Sequence, residues 1–313
     1  MDNTNTYIGI DVSKKHLDVH ILPANAKKRF MNTPAGINKL KEFIGNPVRI
    51  VLEPTGGYER NVLYALAEAG FCVCKVNAAN IRFFALSFGQ LAKTDAIDAM
   101  ILAEFARQRE PRSFVLPTKE EHRLRRLNVR RSQLIRMMAS EKNRIDRCLD
   151  KEELGFITKV LAYMQKQKDK IEDLMLLIVG NNQDMSAKLQ VLASLHGIGT
   201  MSAIALMVEM PELGKIGKNQ ISKLAGVAPF NKDSGETEGK ARTYAGRREV
   251  CRIMYFCALS TLKPNSPFND FFNRLKARGK SGRLAVVAVI HKMLIILNAR
   301  MRDYYETGTI LTR

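Results

Sequence analysis

Four acidic residues lie in or beside apolar segments, where packing of the fold alone does not require a charge. Asp11 lies within the apolar stretch IGIDVS, and Glu53 ends the apolar stretch IVLE. A charge in an apolar strand is costly unless a partner compensates it. Asp95 and Asp98 follow in KTDAIDAM, three residues apart and therefore on one face of a predicted helix. Either that face is solvated, or a positive charge lies against it.

These carboxylates favour one kind of chemistry. If the two strands are neighbours and the helix crosses their ends, the four side chains converge. Oxygen-only ligands suit Mg²⁺, with Mn²⁺ as the other candidate. A pair of such ions can hold the attacking and leaving oxygens of a phosphodiester in line. The sequence thus predicts a metal-dependent catalytic site whose ligands are Asp11, Glu53, Asp95 and Asp98. Alternation along its strand predicts that Asp18 faces away from this site.

The elements around these residues alternate between strands and helices. The pattern predicts two strands within 6–22 joined by a turn at SKKH, with further strands at 48–53 and 71–77. Helices are expected at 35–45, 57–70, 79–88 and 94–108. We therefore expect an α/β domain over residues 1–112.

Pro111 and Pro117 mark a change of character. Residues 118–182 read as two long, highly charged helices with a narrow apolar stripe, which predicts an antiparallel coiled-coil arm. A plain helical bundle is the alternative. Residues 186–313 are predicted to form a mainly helical third domain. Its segment LHGIGTMSAIA places Gly197 and Gly199 before an apolar helix, as in a helix-hairpin-helix element that binds phosphate, although a packing turn explains them equally well.

The charge balance points to a polyanionic partner. The chain has 50 Lys and Arg against 31 Asp and Glu, for a net charge of +19. A chain this basic most often binds nucleic acid. Two dense basic segments, 240–252 and 274–283, suit contacts with a phosphate backbone. The nucleic-acid contacts predicted besides the two glycines are Lys240, Arg242, Arg247, Arg248, Arg274, Lys276, Arg278, Lys280 and Arg283.

Cysteine usage and hydropathy favour a cytoplasmic protein. The five cysteines form no CxxC pair, which argues against a disulfide framework and a structural zinc site. No signal peptide is recognisable. The longest apolar run, 284–297, is short for a membrane span and is interrupted by His291 and Lys292. We expect no contact with a membrane.

Four segments together carry a family resemblance: GIDVSKKHLDV, LEPTGGYE, KTDAIDA and LAGVAPFNKDSG. They resemble the DEDD transposases of one bacterial insertion-sequence family, which are relatives of the Piv-type DNA invertases. The resemblance implies an RNase H-like (RuvC-like) first domain whose acidic tetrad is Asp11, Glu53, Asp95 and Asp98. It also implies a C-terminal transposase domain with Ser234 as nucleophile. Members of this family are recombinases guided by a structured bridge RNA, so that RNA is an expected partner.

The implied reaction is a transesterification. Ser234 would attack a DNA phosphate, giving a phosphoserine link and a free 3′ hydroxyl, and a 3′ hydroxyl would then reseal the strand without ATP. Combining the serine with the carboxylates of another domain requires a composite site, which we expect to form between subunits. The arm is the expected dimerisation device. Exchange between donor and target DNA then predicts a dimer that pairs into a tetramer.

Three other functions remain open at this point. A hydrolytic junction nuclease would use the same acids with water and leave Ser234 as a bystander. A nucleic-acid-binding protein without catalytic activity would need none of them. An actin-like sugar kinase also opens with a GIDVS segment, but it needs further glycine-rich phosphate loops, and only TGG at 55–57 offers one.

Overall fold

The computed structural model describes residues 5–89, 95–230, 242–243 and 246–308. The chain divides into two compact units, one ending at Pro117 and the other beginning at Thr118. The first unit is a mixed α/β domain and the second is mostly helical, which confirms the predicted classes. The arm and the third domain, which the sequence analysis separated, both lie within the second unit.

A five-stranded sheet organises the first unit. Its strands are β1 (Tyr7–Val12), β2 (His16–Leu22), β3 (Ala26–Met31), β4 (Arg49–Leu52) and β5 (Val73–Lys75). They are arranged in the order β3-β2-β1-β4-β5. β1, β4 and β5 are parallel, whereas β2 runs antiparallel to both β1 and β3. The sequence pattern did not predict β3, an edge strand whose Lys27, Lys28 and Arg29 are exposed.

Helices cover both faces of this sheet. They are α1 (Pro34–Ile44), α2 (Arg60–Glu68), α3 (Ala78–Ser87) and α4 (Asp95–Gln108). Ile8 and Ile10 of β1 pack with buried side chains of α1 and α2. On the opposite face, Val51 of β4 packs with Leu102 of α4 and with buried residues of α3. Alternation along each strand therefore decides which helix layer a side chain meets.

The second unit begins with two long antiparallel helices, α5 (Lys119–Ile145) and α6 (Lys151–Gly180). Thr118 and Glu121 form a capping box that starts α5. At the base of the hairpin Leu124 packs with Met175. Further along, Arg131 of α5 is paired with Glu172 of α6 at 2.6 Å. The base packs onto later helices, so the hairpin is anchored in the core of this unit.

The remaining helices pack around the last one. They are α7 (Gln183–Ala193), α8 (Thr200–Glu209), α9 (Lys218–Ala225), α10 (Arg248–Thr261), α11 (Pro267–Ala277) and α12 (Gly282–Thr307), with short strands β6 (Pro229–Phe230) and β7 (Arg242–Thr243) before α10. Val289, Met293 and Leu297 of α12 have no exposed surface. In the described part of the chain α12 is long and apolar enough to span a membrane, with a mean hydropathy of 1.8 over its most apolar window. It is longer than the apolar run noted in the sequence, and it serves as the core helix of the unit.

Candidate active site and nucleic-acid surface

Asp11 lies on β1, and Glu53 directly follows the adjacent parallel strand β4. Ile10 of β1 is in register with Leu52 of β4, and each acidic residue follows directly. Because Ile10 points towards α1 and α2, alternation directs Asp11 towards the opposite face. Asp11 therefore lies on the face of the sheet that α4 covers. Val51 of β4 packs on α4, and alternation from Val51 predicts the same face for Glu53. This adjacency is the first part of the predicted convergence.

The second part of the predicted convergence depends on a close approach between α4 and β1. A Cβ built on Gly9 would lie 2.0 Å from the carbonyl oxygen of Ala99 and 2.3 Å from the backbone nitrogen of Ala103. Glycine is therefore required at this point of β1. Asp98 directly precedes Ala99 and is half-buried. The close approach thus places Asp98 on the part of α4 nearest the strand that carries Asp11.

Asp95 is the first residue of α4, four residues before Ala99 and hence on the same helical stripe. Its side chain lies outside the described part of the chain. Within the described part, no group of three or more His, Cys, Asp or Glu side chains is arranged to hold a metal ion. The donor chemistry nevertheless fits a hard cation, because Asp11, Glu53 and Asp98 offer only carboxylate oxygens.

Asp18 does not face away from this site, so that expectation is wrong. It is paired directly with Asp11 across β1 and β2, and directly opposed residues point to the same face of a sheet. The Asp18 carboxylate accepts hydrogen bonds from Nε and Nη2 of Arg29 at 2.7 and 3.1 Å. Arg29 therefore compensates the charge of a carboxylate that would otherwise repel Asp11. Alternation along one strand could not show this, because the pairing register sets the relation between strands.

The predicted nucleophile and part of the basic segment 240–252 fall outside what the structure describes. Ser234 and Lys240 lie outside the described residues, and Arg242 is described only as backbone of β7. The role of Ser234 as nucleophile therefore stays a prediction.

Arg247 and Arg248 are neighbours with different surroundings. The Arg247 guanidinium donates to both carboxylate oxygens of Glu212 at 2.7 and 2.6 Å, and also to the backbone oxygen of Glu209. The Arg247 contacts hold the pKa of the Glu212 carboxyl below its ordinary value, against the opposing effect of burial. Arg248, the first residue of α10, is exposed. Arg247 thus joins two parts of the protein, whereas Arg248 is presented to solvent.

The two glycines of the predicted hairpin also differ. Gly197 has a φ of +90°, and a Cβ there would lie 2.2 Å from Cγ2 of Thr261 on α10. Gly199 is the N-cap of α8 and has open space around its Cα. The geometry favours the packing role for Gly197 and leaves the N-terminus of α8 approachable at Gly199.

The second basic segment forms one exposed surface, which we call the basic loop (residues 274–283). It joins the end of α11 to the start of α12, where Ser281 accepts a hydrogen bond from the N–H of Leu284. Exposed cations and a helix N-terminus both favour anions. The five cationic residues of the basic loop, all exposed, are Arg274, Lys276, Arg278, Lys280 and Arg283.

His20 is a polar residue whose position the sequence analysis did not predict. It lies on β2, directly opposite Gly9 of β1 and Lys27 of β3, and has no exposed surface. Neither ring nitrogen has a hydrogen-bond partner among the described residues. Burial, with a smaller contribution from Lys27, lowers the pKa of His20 below its ordinary value.

Known families match both ends of this chain. A DEDD-type IS110 transposase model matches residues 8–152, and a model for transposases of the IS116/IS110/IS902 family matches residues 189–273. The chain belongs to the IS110 family of transposases. The first match includes Asp11, Glu53, Asp95 and Asp98, and the second includes Ser234.

Curated relatives agree with membership of the IS110 family. The chain is 22% identical over 312 residues to the pilin gene-inverting proteins of Moraxella lacunata and Moraxella bovis, covering 96% of this chain and 97% of each relative. It is also 27% identical over 121 residues to a 43.6 kDa protein of insertion element IS110 from Streptomyces coelicolor, covering 37% of this chain and 30% of that protein.

Proposed function

We propose that this IS110-family protein is a DNA recombinase that moves or inverts a DNA segment by magnesium-dependent strand exchange through a phosphoserine. The observation that carries the proposal is that Asp11 of β1 and Glu53, directly after the adjacent strand β4, follow paired residues, while α4, the helix that bears Asp98, packs closely on β1. The predicted RNase H-like (RuvC-like) fold of the first unit is consistent with this arrangement of carboxylates. The inverting activity named for the Moraxella relatives supports the same class of reaction.

Asp11, Glu53, Asp95 and Asp98 are the residues that would hold Mg²⁺, or Mn²⁺ in its place. The bound ions would hold the attacking and leaving oxygens in line and offset charge on the phosphate. The Asp18–Arg29 ion pair keeps a further carboxylate beside Asp11 from adding unpaired negative charge. The apolar packing of α4 on β1 holds Asp98 in place, since Gly9 leaves no room for movement towards the strand.

Ser234 is the proposed nucleophile. Its oxygen attacks the phosphorus, a phosphoserine bond forms, the bond to the 3′ oxygen breaks, and the serine proton leaves to solvent while the 3′ oxygen gains one. A 3′ hydroxyl then attacks the phosphoserine, restoring the serine and a phosphodiester. One phosphoester bond forms for each that breaks, so the exchange needs no ATP.

The proposed partners are donor DNA, target DNA and a structured bridge RNA. The basic loop and Arg248 present exposed cations in the second unit. Cationic contacts with phosphates bind nucleic acid regardless of sequence and weaken with salt. An RNA guide would therefore supply the sequence specificity, while the protein supplies backbone contacts. With these partners we place the protein in the bacterial cytoplasm, at the nucleoid when it acts.

A second copy of the chain is the proposed partner of α6. Phe156, Val160 and Tyr163 lie at i, i+4 and i+7 on this helix and are 61%, 43% and 65% exposed. That spacing places them on one face, away from the face that packs on α5. Pairing of these faces as a coiled coil would bury the stripe and form the dimer that strand exchange requires, with two dimers assembling as a tetramer on DNA.

Substitution of Asp11 and Ser234 tests the chemistry. Asp11→Asn should abolish strand exchange while leaving metal-independent nucleic-acid binding intact, because that binding depends on cationic side chains. Ser234→Ala should abolish exchange and prevent the covalent protein–DNA adduct that we expect the native chain to give on denaturing gels. Glu42→Gln, an exposed carboxylate on α1, is the matched control and should retain full exchange. Cleavage retained by Ser234→Ala would instead establish a hydrolytic nuclease, and exchange retained by Asp11→Asn would overturn the proposal.

The RNA partner requires a separate experiment. The protein purified from cells carrying its insertion element should bring with it a structured RNA encoded beside its gene, identified by sequencing the bound nucleic acid. Chelation of divalent metal should stop strand exchange and spare this RNA, whereas raised salt should release it. Recovery of only unrelated cellular RNA would contradict the guide.

A further inference from the structure

A cavity of about 240 Å³ lies between β2, β3 and α4 in the first unit. Its lining includes Asp18 and His20 of β2, Lys27 and Arg29 of β3, and Ala99 of α4. The proposed chemistry uses Arg29 only as the partner of Asp18 and gives His20 and Lys27 no role. The cavity is nevertheless on the same face of the sheet as Asp11.

Strand register ties this cavity to the carboxylate site. Asp11, Asp18 and Arg29 stand directly opposite one another across β1, β2 and β3. Neighbouring strands are about 4.8 Å apart, so Arg29 lies roughly 10 Å from Asp11 along this row. A second row, one pleat away, runs through Gly9, His20 and Lys27. One face of the sheet therefore changes from acidic at Asp11 on β1 to basic at Lys27 and Arg29 on the edge strand β3.

Arg29 is oriented before any ligand arrives. Two of its nitrogens donate to Asp18, and this bidentate contact fixes the plane of the guanidinium. The Arg29 side chain is still 54% exposed. An arginine held in this way loses little side-chain freedom on binding a phosphate.

His20 supplies an independent observation that points to a ligand. It is fully buried at the cavity, and neither ring nitrogen has a partner among the described residues. A buried polar group without a partner costs about 1–3 kcal/mol, and most such groups in proteins are satisfied. A neutral imidazole carries one N–H donor, which suits an anionic oxygen.

We propose that this cavity is a phosphate subsite, in which Lys27 and Arg29 hold a backbone phosphate flanking the one bound at Asp11 and Glu53, and a ring N–H of His20 donates to one of its oxygens. The inference rests on the proposed function, since it assumes that a nucleic-acid strand passes over the carboxylates. The subsite specifies the path of the nucleic acid, which runs from the carboxylates across β2 towards the edge strand β3. The subsite makes backbone contacts only and therefore reads no sequence.

The salt dependence of binding by the full chain tests the phosphate contacts. The probe is a short single-stranded DNA, with divalent metal chelated so that no cleavage occurs. Lys27→Gln and Arg29→Gln should each reduce the slope of log affinity against log salt by about 0.7, the loss of one single-strand phosphate contact. Lys39→Gln on α1 removes the same charge from the opposite side of the sheet and should leave the slope unchanged. Unchanged slopes for both β3 variants would overturn the subsite.

A nuclear magnetic resonance measurement tests the role of His20 directly. The chain has five histidines, so imidazole ¹⁵N labelling gives few signals, and His20→Gln assigns the relevant one. Adding the DNA should shift the His20 signal in the native chain and shift it less, at the same DNA concentration, in Lys27→Gln. A His20 signal whose chemical shift does not change when DNA is added to the native chain would contradict the proposal.

Failure of the subsite and failure of the proposed function can be distinguished. If Asp11→Asn abolishes exchange while the Lys27 and Arg29 variants bind like the native chain, the function stands and the subsite is wrong. If the salt slopes and the His20 signal respond as expected but the native chain performs no exchange, the subsite stands without the proposed reaction.

Discussion

Gly9 of β1 and Ala99 of α4 approach so closely that a Cβ on Gly9 would lie 2.0 Å from the Ala99 carbonyl oxygen. Both partners in this contact are backbone, so no side-chain rotation can relieve it. The position of α4 over the sheet, and with it that of Asp98, therefore depends on the absence of a side chain at residue 9.

Gly9→Ala should accordingly displace α4. We expect the free energy of unfolding to fall by about 3 kcal/mol, at the upper end for overpacking because backbone must move. Strand exchange should also be lost, because the displaced helix moves Asp98 away from Asp11. Urea unfolding followed by circular dichroism measures the first effect. The control is Gly155→Ala in α6, where nothing lies within 4 Å of the new Cβ and stability should rise by about 0.5–1 kcal/mol.

Arg247→Gln and Arg248→Gln should have opposite consequences. The first removes the paired contact with Glu212 and should cost about 2 kcal/mol of unfolding free energy with little change in the salt dependence of nucleic-acid binding. The second should change stability by less than about 0.5 kcal/mol and reduce the salt slope by about 0.9. Thermal unfolding and filter binding of duplex DNA separate the two. The interpretation fails if Arg247→Gln weakens binding and leaves stability unaltered.

Glu249 should make part of the stability of the second unit depend on acid pH. Hydrogen bonds from Arg252 and from Ser132 of α5 hold the pKa of the Glu249 carboxyl below its ordinary value of 4.5, despite partial burial. The stabilisation is therefore present above pH 4.5 and is lost as pH falls through the lowered pKa. Urea unfolding at several pH values should show Glu249→Gln less stable than the native chain near neutrality, with the difference shrinking in acid.

A matched carboxylate makes that comparison specific. Glu306→Gln, at the exposed end of α12, should reproduce the native pH profile. A Glu249→Gln profile parallel to the native one down to the acid limit would show that the Arg252 and Ser132 contacts do not stabilise the fold.

Asn298 should be among the most sensitive positions of α12. Its buried side chain accepts from the Gly214 backbone N–H at 2.8 Å and donates to the Ile216 carbonyl oxygen at 2.9 Å. Asn298→Leu removes the acceptor of the Gly214 N–H and leaves the Ile216 carbonyl oxygen with only a longer contact from Arg302 at 3.3 Å. The loss should cost about 3 kcal/mol, which chemical unfolding would measure. Hydrogen exchange at the Gly214 amide should accelerate as well. Asn273→Leu on the exposed face of α11 should be nearly neutral, and equal losses in both variants would refute the bridging role.

Local pattern was sufficient for most elements of the first unit. The strands expected within 6–22 and at 48–53 are observed as β1, β2 and β4, and the helix expected at 94–108 is observed as α4 from Asp95. These elements can be predicted from the sequence because their apolar residues recur at the period of a strand or a helix. β3 was missed because its Lys27 and Arg29 are exposed cations on a sheet edge, where no apolar alternation is required.

The charge pattern shows the same limit. The count of cations predicted nucleic-acid contacts for the basic loop, whose cations are exposed, and it treated Arg247 and Arg248 alike. Only folding brings Glu212 of a distant segment to Arg247 and leaves Arg248 in solvent. Likewise, the glycines at 197 and 199 are equivalent in the sequence, and the contact with Thr261 is what distinguishes them.

The sequence by itself determined the acidic residues, their carrier elements, the basic character and the family. The tertiary structure alone decided which of these groups share a face. Asp18 stands beside Asp11 because β2 pairs with β1 in one register, and a shift of one residue would have turned it to the other side. Periodicity is encoded among near neighbours, whereas register arises from hydrogen bonds and packing between distant segments, which no single stretch of residues contains.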